Sequence, residues 1–181
     1  MQKLELTWIG KGNEPVVEPR ILLHDASKDY GDPAADNMLI HGDNLLALKA
    51  LEKEFSGQVK CIYIDPPYNT GAAFEHYDDN LEHSIWLRLM RSRLEILRNL
   101  LSSQGFFCCH IDDSEGHYLK VLLDKVFGRS NYQTTLYVRV RYPEKTLKQD
   151  MSYHKEIEQV HIYRKEYGAT PNFDSEVVGF D

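Results

Sequence analysis

Apolar residues follow two periodicities along this chain, and the switches between them mark out alternating helices and strands. Val59-Lys60-Cys61-Ile62-Tyr63-Ile64 is a short, largely apolar run, the pattern of a strand in the middle of a parallel sheet covered on both faces. Met38-Leu39-Ile40-His41 reads as a shorter strand ending at Gly42-Asp43. Beyond it, Leu45, Leu48, Leu51 and Phe55 recur at helical spacing over 44–55, stopped near Gly57. Ser84 is placed to cap a second helix, with Leu87, Met90, Leu94, Leu97 and Leu101 as its apolar stripe and Gly105 as its end. Phe106 to Ile111 predicts a buried strand. Asp112-Asp113-Ser114-Glu115 then opens a helix running to about Phe127, with Asp112 and Glu115 at capping-box spacing and Gly128 beyond. Thr134 to Tyr142 alternates strictly, with Leu136, Val138, Val140 and Tyr142 on one face, and predicts a half-buried strand. Ile157 to Arg164 is a second candidate, and the two together predict an antiparallel pair at one sheet edge.

These elements divide the chain into an N-terminal arm over 1–36, a core over 37–167 and the start of a further region over 168–181. The polar segment Gly71 to Glu82, with Phe74, His76 and Tyr77 interleaved, predicts a loop at the end of the sheet, which either closes over a ligand or packs locally. A length of 181 residues supports one domain with a sizeable core. No apolar stretch reaches the length that spans a bilayer, and Met1-Gln2-Lys3-Leu4-Glu5 lacks a signal-peptide pattern, so a cytoplasmic location is expected. Cys61, Cys108 and Cys109 have no zinc spacing and are expected to be reduced core thiols. The net charge of −7 disfavours nucleic-acid phosphates as a partner for the chain alone. Local exceptions are Arg88, Arg91, Arg93 and Arg98 on the second helix, and Arg139 and Arg141 beside the polar connection 143–148. Each set either meets phosphates or is a solvated charged face.

Candidate chemistry begins where the strand 59–64 runs out, because ligands of parallel sheets bind beyond the carboxyl ends of the strands. There the chain reads Asp65-Pro66-Pro67-Tyr68. The exocyclic amine of a nucleobase shares its lone pair with the ring and attacks poorly unless that pair is localised. The Asp65 carboxylate and the Pro66 carbonyl can each accept one hydrogen bond from such an amine, pushing its nitrogen toward tetrahedral geometry. Two prolines stiffen the turn. Tyr68 offers a ring face to a base extruded from its stack. Asp43 also sits at a strand end, either as the helix N-cap or as a ligand contact. His110 reads as a packed strand residue, and the acidic run 112–115 is too small a cluster to imply a metal.

The chain resembles the Mod subunits of type III restriction-modification systems and related beta-class DNA N6-adenine methyltransferases. The resemblance is carried by 4–11 (Leu-Glu-Leu-Thr-Trp-Ile-Gly-Lys), by 37–45, by Tyr63 to Gly71, by His83-Ser84-Ile85-Trp86-Leu87 and by Ile111-Asp112-Asp113. It implies an α/β fold, a partial Rossmann-like sheet with helices on both faces. It implies S-adenosylmethionine as methyl donor, DNA as substrate, and Asp65, Pro66, Pro67 and Tyr68 as the catalytic motif. Asp65 and Asp43 are the matching donor-binding positions, with Asp43 meeting the adenosine. An Asp at the start of the motif resembles the adenine-specific enzymes. A restriction subunit and a second copy of the chain are the implied partners. The family order is permuted, with a glycine-rich Phe-x-Gly-x-Gly donor loop after the recognition region, and no such string occurs in this sequence. The expectation is therefore an N-terminal piece of a larger enzyme or one half of a split one, the alternative being a noncatalytic half-domain that needs a partner chain.

Overall fold

The computed structural model describes residues 5–13, 16–18, 20–32, 34–69, 83–140 and 156–170. Helix α1 (Asn44–Phe55) precedes strand β1 (Val59–Ile64), and α2 (His83–Leu100) runs directly into β2 (Leu101–Ile111). After α3 (Gly116–Leu123) come a π-helical turn (Asp124–Gly128) and a short 3-10 turn, then β3 (Tyr132–Arg139) and β4 (Ile157–Arg164). The sheet order is β1-β2-β4-β3. β1 and β2 are parallel, and β4 is antiparallel to both its neighbours. The antiparallel pair expected of the last two strands is present.

Periodicity explains the core. Trp86, Met90, Leu94 and Leu97 recur on one stripe of α2 and are buried against Phe107, Cys109 and Ile111, the alternate residues of β2. Each large apolar side chain removed from water in this way contributes roughly 1.5–3 kcal/mol. α2 touches both α1 and α3, so these helices gather on one face of the sheet. On the other face Phe106, Cys108 and His110 are half-buried, and the cover expected there is not among the described residues. An aromatic column ties the antiparallel strands to the π-turn: Phe107 stacks on Phe127 at 4.6 Å, and Tyr163 follows at 5.6 Å. Tyr163 donates its hydroxyl to Asp124 Oδ1 at 2.6 Å. No helix among the described residues is long and apolar enough to cross a membrane.

Several sequence expectations need correction. β1 lies at the edge of the described sheet rather than in its middle, so Cys61 is exposed instead of a core thiol. Cys109 is buried as expected, and burial pushes the half-buried Cys108 thiol up to about 11. Met38-Leu39-Ile40-His41 forms no strand, and Leu39 is 95% exposed, because no described strand lies beside it to complete a ladder. α2 stops at Leu100, not Gly105: the amides of Gly57 and Gln58 donate to the Asn99 and Leu100 carbonyls and draw the chain into register with β1. Leu101 is buried, but as the first residue of β2. Gly105 serves a different purpose, since a Cβ there would lie 2.8 Å from the Val59 carbonyl oxygen at the irregularity between the parallel strands. The apolar face of β3 is only partly covered, with Leu136 half exposed, because β3 is the other sheet edge. The segments 71–82 and 143–148 lie outside the described residues.

Candidate active site

β1 ends at Ile64, so Asp65 occupies the first position past its carboxyl end. The turn that follows is fixed by side chains distant in sequence. Trp86, completely buried on α2, donates its indole Nε1–H to the Pro67 carbonyl at 2.7 Å. Among the described residues no hydrogen bond ends on the Pro66 carbonyl. The Tyr68 hydroxyl donates to Glu158 Oε2 on β4 at 3.2 Å. Burial, then the neighbouring Asp65 and Glu158 carboxylates, hold this phenol far above its ordinary value, so Tyr68 is a neutral ring at any working pH.

Beside Tyr68 a second polar chain crosses the sheet. Tyr63 of β1 shares a hydrogen bond with His110 Nδ1 of β2 at 2.8 Å. His110 Nε2 lies 2.9 Å from Glu158 Oε2, but off the direction in which a ring N–H points, so the contact is close without being a hydrogen bond. His110 is thus more than a packed strand residue: it joins Tyr63 on one side to the carboxylate that receives Tyr68. Burial first, then Asp65, raises the Tyr63 phenol above its ordinary value.

The next residue, Asn69, adopts φ 60°, in the left-handed region that asparagine tolerates better than most side chains. Its amide Nδ2 donates to Glu115 Oε1 at 2.6 Å, and Glu115 Oε2 meets His83 Nδ1 at 2.8 Å. Glu115 is 1% exposed, so both its oxygens are committed to the two residues that flank segment 70–82. The expected capping box is therefore absent. Asp112 does accept locally, from the Ser114 amide, while Glu115 occupies the N-cap position of α3 without a side-chain cap bond. Sequence reasoning missed Glu115 in this role, as well as Trp86 and Glu158. A usable signal was present: a loop at a sheet end needs its two stems joined, and Asn69 and His83 are the polar residues at those stems.

Asp43 caps α1, its Oδ1 accepting from the Leu45 and Leu46 amides at 2.9 and 3.1 Å. Oδ2 makes no hydrogen bond among the described residues, and no hydrogen bond or ion pair joins Asp43 to residues 65–68. The structure thus brings Asp65, Pro66, Pro67 and Tyr68 together on one rigid turn and leaves Asp43 as a separate carboxylate with one oxygen unengaged. No metal-binding group of three or more ligands occurs among the described residues.

Known proteins resemble this chain in sequence and in fold. The chain is 47% identical over 111 residues to the HindVI Mod subunit of Haemophilus influenzae, a match covering 61% of this chain and 15% of that protein. It is 31% identical over 171 residues to the type III restriction-modification enzyme EcoPI Mod subunit of Escherichia phage P1, covering 75% of this chain and 26% of the relative. The chain therefore spans about a quarter or less of the length of these curated relatives. Among solved structures, a proposed DNA modification methylase of Thermus thermophilus complexed with S-adenosyl-L-methionine superposes with a TM-score of 0.50 at 15% identity, over 70% of this chain and 54% of that one. That likeness supports the Rossmann-like fold. The DNA methylase family model matches residues 59–178, from the first residue of β1 through the whole sheet, and on that match the chain belongs to the N6_N4_Mtase family of DNA methylases.

Proposed function

We propose that this chain carries the catalytic-motif half of a DNA adenine-N6 methyltransferase of a restriction-modification system, acting on an adenine flipped out of the duplex. The observation that supports this reading best is the division of labour on the turn: Trp86 occupies the Pro67 carbonyl, while the Pro66 carbonyl accepts no hydrogen bond among the described residues and the Asp65 carboxylate has only the Tyr68 phenol beside it there. Two acceptors on a stiff turn suit a donor with two N–H bonds. They would hold the adenine amine with its lone pair directed away from the ring, and Tyr68, kept neutral, would stack on the base. S-adenosylmethionine supplies the electrophilic methyl group when bound. With its lone pair so directed, the amine nitrogen would take the methyl group, the donor would leave as its thioether, and the surplus amine proton would pass to water. Asp43 Oδ2 suits a donor hydroxyl such as those of the ribose, and Asp65 lies at the methyl end. By the same reading the partners are DNA, a restriction subunit and a second copy, in the cytoplasm.

A second reading, a noncatalytic module that completes its site with another chain, is favoured by β1 standing at the sheet edge with Tyr63 58% exposed. Calorimetric titration of the chain with S-adenosylmethionine, alongside Asp43→Ala, separates the two. Micromolar binding that the substitution weakens supports a donor pocket within these residues. Absence of binding removes the self-sufficient enzyme and leaves the module.

A further inference from the structure

On the far side of α2 from the motif, cations converge although the chain as a whole is acidic, with 21 Lys and Arg against 28 Asp and Glu. A cleft of about 580 Å³ lies between the arm, α2 and the π-turn, lined by Lys11, Arg91 and Lys125, with Glu5 as the one carboxylate among its described lining residues. A neighbouring groove of about 210 Å³ shares Arg91 and Lys125 and adds Arg98. Neither is lined by residues 65–68.

The arm delivers Lys11 on a tight turn in which Gly10 and Gly12 both take positive φ, 83° and 92°. Glu5 compensates Lys11 first, at 2.6 Å, and reaches Lys125 only at 3.5 Å. Arg91 holds Glu95 at 2.9 Å. Lys11 also donates to the Leu6 carbonyl. The Lys125 ammonium is held below its ordinary value, first by Lys11, then by burial and by Arg91, as expected where positive charge is crowded. Under the walls, Trp8 Nε1 and Arg98 Nε are buried and meet no acceptor among the described residues. Four cationic side chains and two buried N–H donors gathered around adjoining clefts suit an oxyanion.

We propose that Lys11, Arg91, Arg98 and Lys125 form a phosphate-binding cleft distinct from the Asp65 site. The ligand chemistry is a phosphate ester, from the backbone of nucleic acid or from a free phosphorylated compound. Lys125 serves as an exposed point charge, Lys11 as one held in place by Glu5 and the Leu6 carbonyl, and the two guanidinium groups of α2 supply directed N–H donors. Nothing in this cleft depends on methyl transfer, so it stands or falls apart from the proposed activity.

The test is calorimetric titration of the 181-residue chain with inorganic pyrophosphate at low salt, repeated with a 20-base-pair duplex as competitor. Saturable one-site binding is expected, weakened about tenfold by Lys125→Gln and by Arg91→Gln, the loss of one charge-assisted contact each. Lys53→Gln, on the exposed surface of α1, and Asp65→Asn should leave it unchanged. Displacement of pyrophosphate by the duplex assigns the cleft to a nucleic-acid backbone, and failure to displace it assigns a free phosphate ester. No saturable binding, or equal weakening by Lys53→Gln, overturns the proposal.

Discussion

At the N-terminal end of α2, Trp86 and His83 meet a carbonyl and a carboxylate that belong to other elements, whereas further along the helix Arg91 shares a cleft with Lys11 and Lys125, and Arg98 an adjoining groove with Lys125. The first region is acidic and interlocked. Glu115 and Glu158 are each engaged by side chains from two other elements, and the Asp65–Tyr68 turn hangs on those bonds. The second is cationic, with Lys11 and Arg91 part-buried and each tied to a carboxylate and Lys125 exposed at the cleft. The difference fits the two uses proposed for them. Chemistry on a nucleobase needs acceptors fixed to within a fraction of an ångström, while electrostatic capture of a phosphate tolerates mobile charges.

Substitutions should separate the two regions by size of effect. Glu115→Ala removes the buried acceptor that Asn69 and the exposed His83 share. It should cost about 2–4 kcal/mol in denaturant unfolding and abolish any methyl transfer. Glu115→Gln should recover part of the stability by keeping an acceptor for Asn69. Trp86→Phe retains the apolar ring but removes the donor to Pro67, with an expected cost of about 1–2 kcal/mol and a loss of transfer rate larger than any loss of donor affinity. Tyr68→Phe keeps the stacking face and loses the bond to Glu158, for about 1 kcal/mol in the same assay. Lys125→Gln, at an exposed position of the cationic region, should change unfolding by less than about 0.5 kcal/mol. A loss comparable to that of Glu115→Ala would erase the contrast.

Acid sensitivity should trace to the sheet rather than to the cleft. His161 on β4 is buried, its Nδ1 2.9 Å from the Thr135 hydroxyl, and burial lowers its affinity for a proton below the ordinary value of 6.5. The unfolded chain then binds the proton more readily than the folded one, so this contribution is complete above pH 6.5 and is lost as pH falls below it. His161→Gln should flatten the unfolding profile just below pH 6.5, a smaller effect than any of the motif substitutions.

Much of this was legible in the chain. The strand over 59–64 and the turn at Asp65 follow from a short apolar run that meets two prolines, and β4 was bounded correctly by Ile157 and Arg164. What periodicity could not supply was pairing. Met38–His41 is as apolar as many strands, yet no described neighbour completes its ladder. Leu101 continues the helical stripe of α2 in spacing, but the hydrogen bonds from Gly57 and Gln58 end the helix before it. Glu115 shows the same limit in the site. Its spacing from Asp112 fits a local cap, and only the fold reveals that Asn69 and His83 compete for it more successfully than the α3 amides. Asp43, by contrast, has no distant competitor among the described residues and caps its helix as local spacing predicts.

The central claim, that the Asp65–Tyr68 turn holds an adenine amine for methylation, is tested most directly by product analysis. The chain is incubated with isotopically labelled S-adenosylmethionine and duplex DNA of mixed sequence, and the digested nucleosides are separated and weighed by mass spectrometry. Labelled N6-methyladenine that disappears with Asp65→Ala is the predicted result. Label on cytosine N4, or adenine methylation that survives Asp65→Ala, would contradict it.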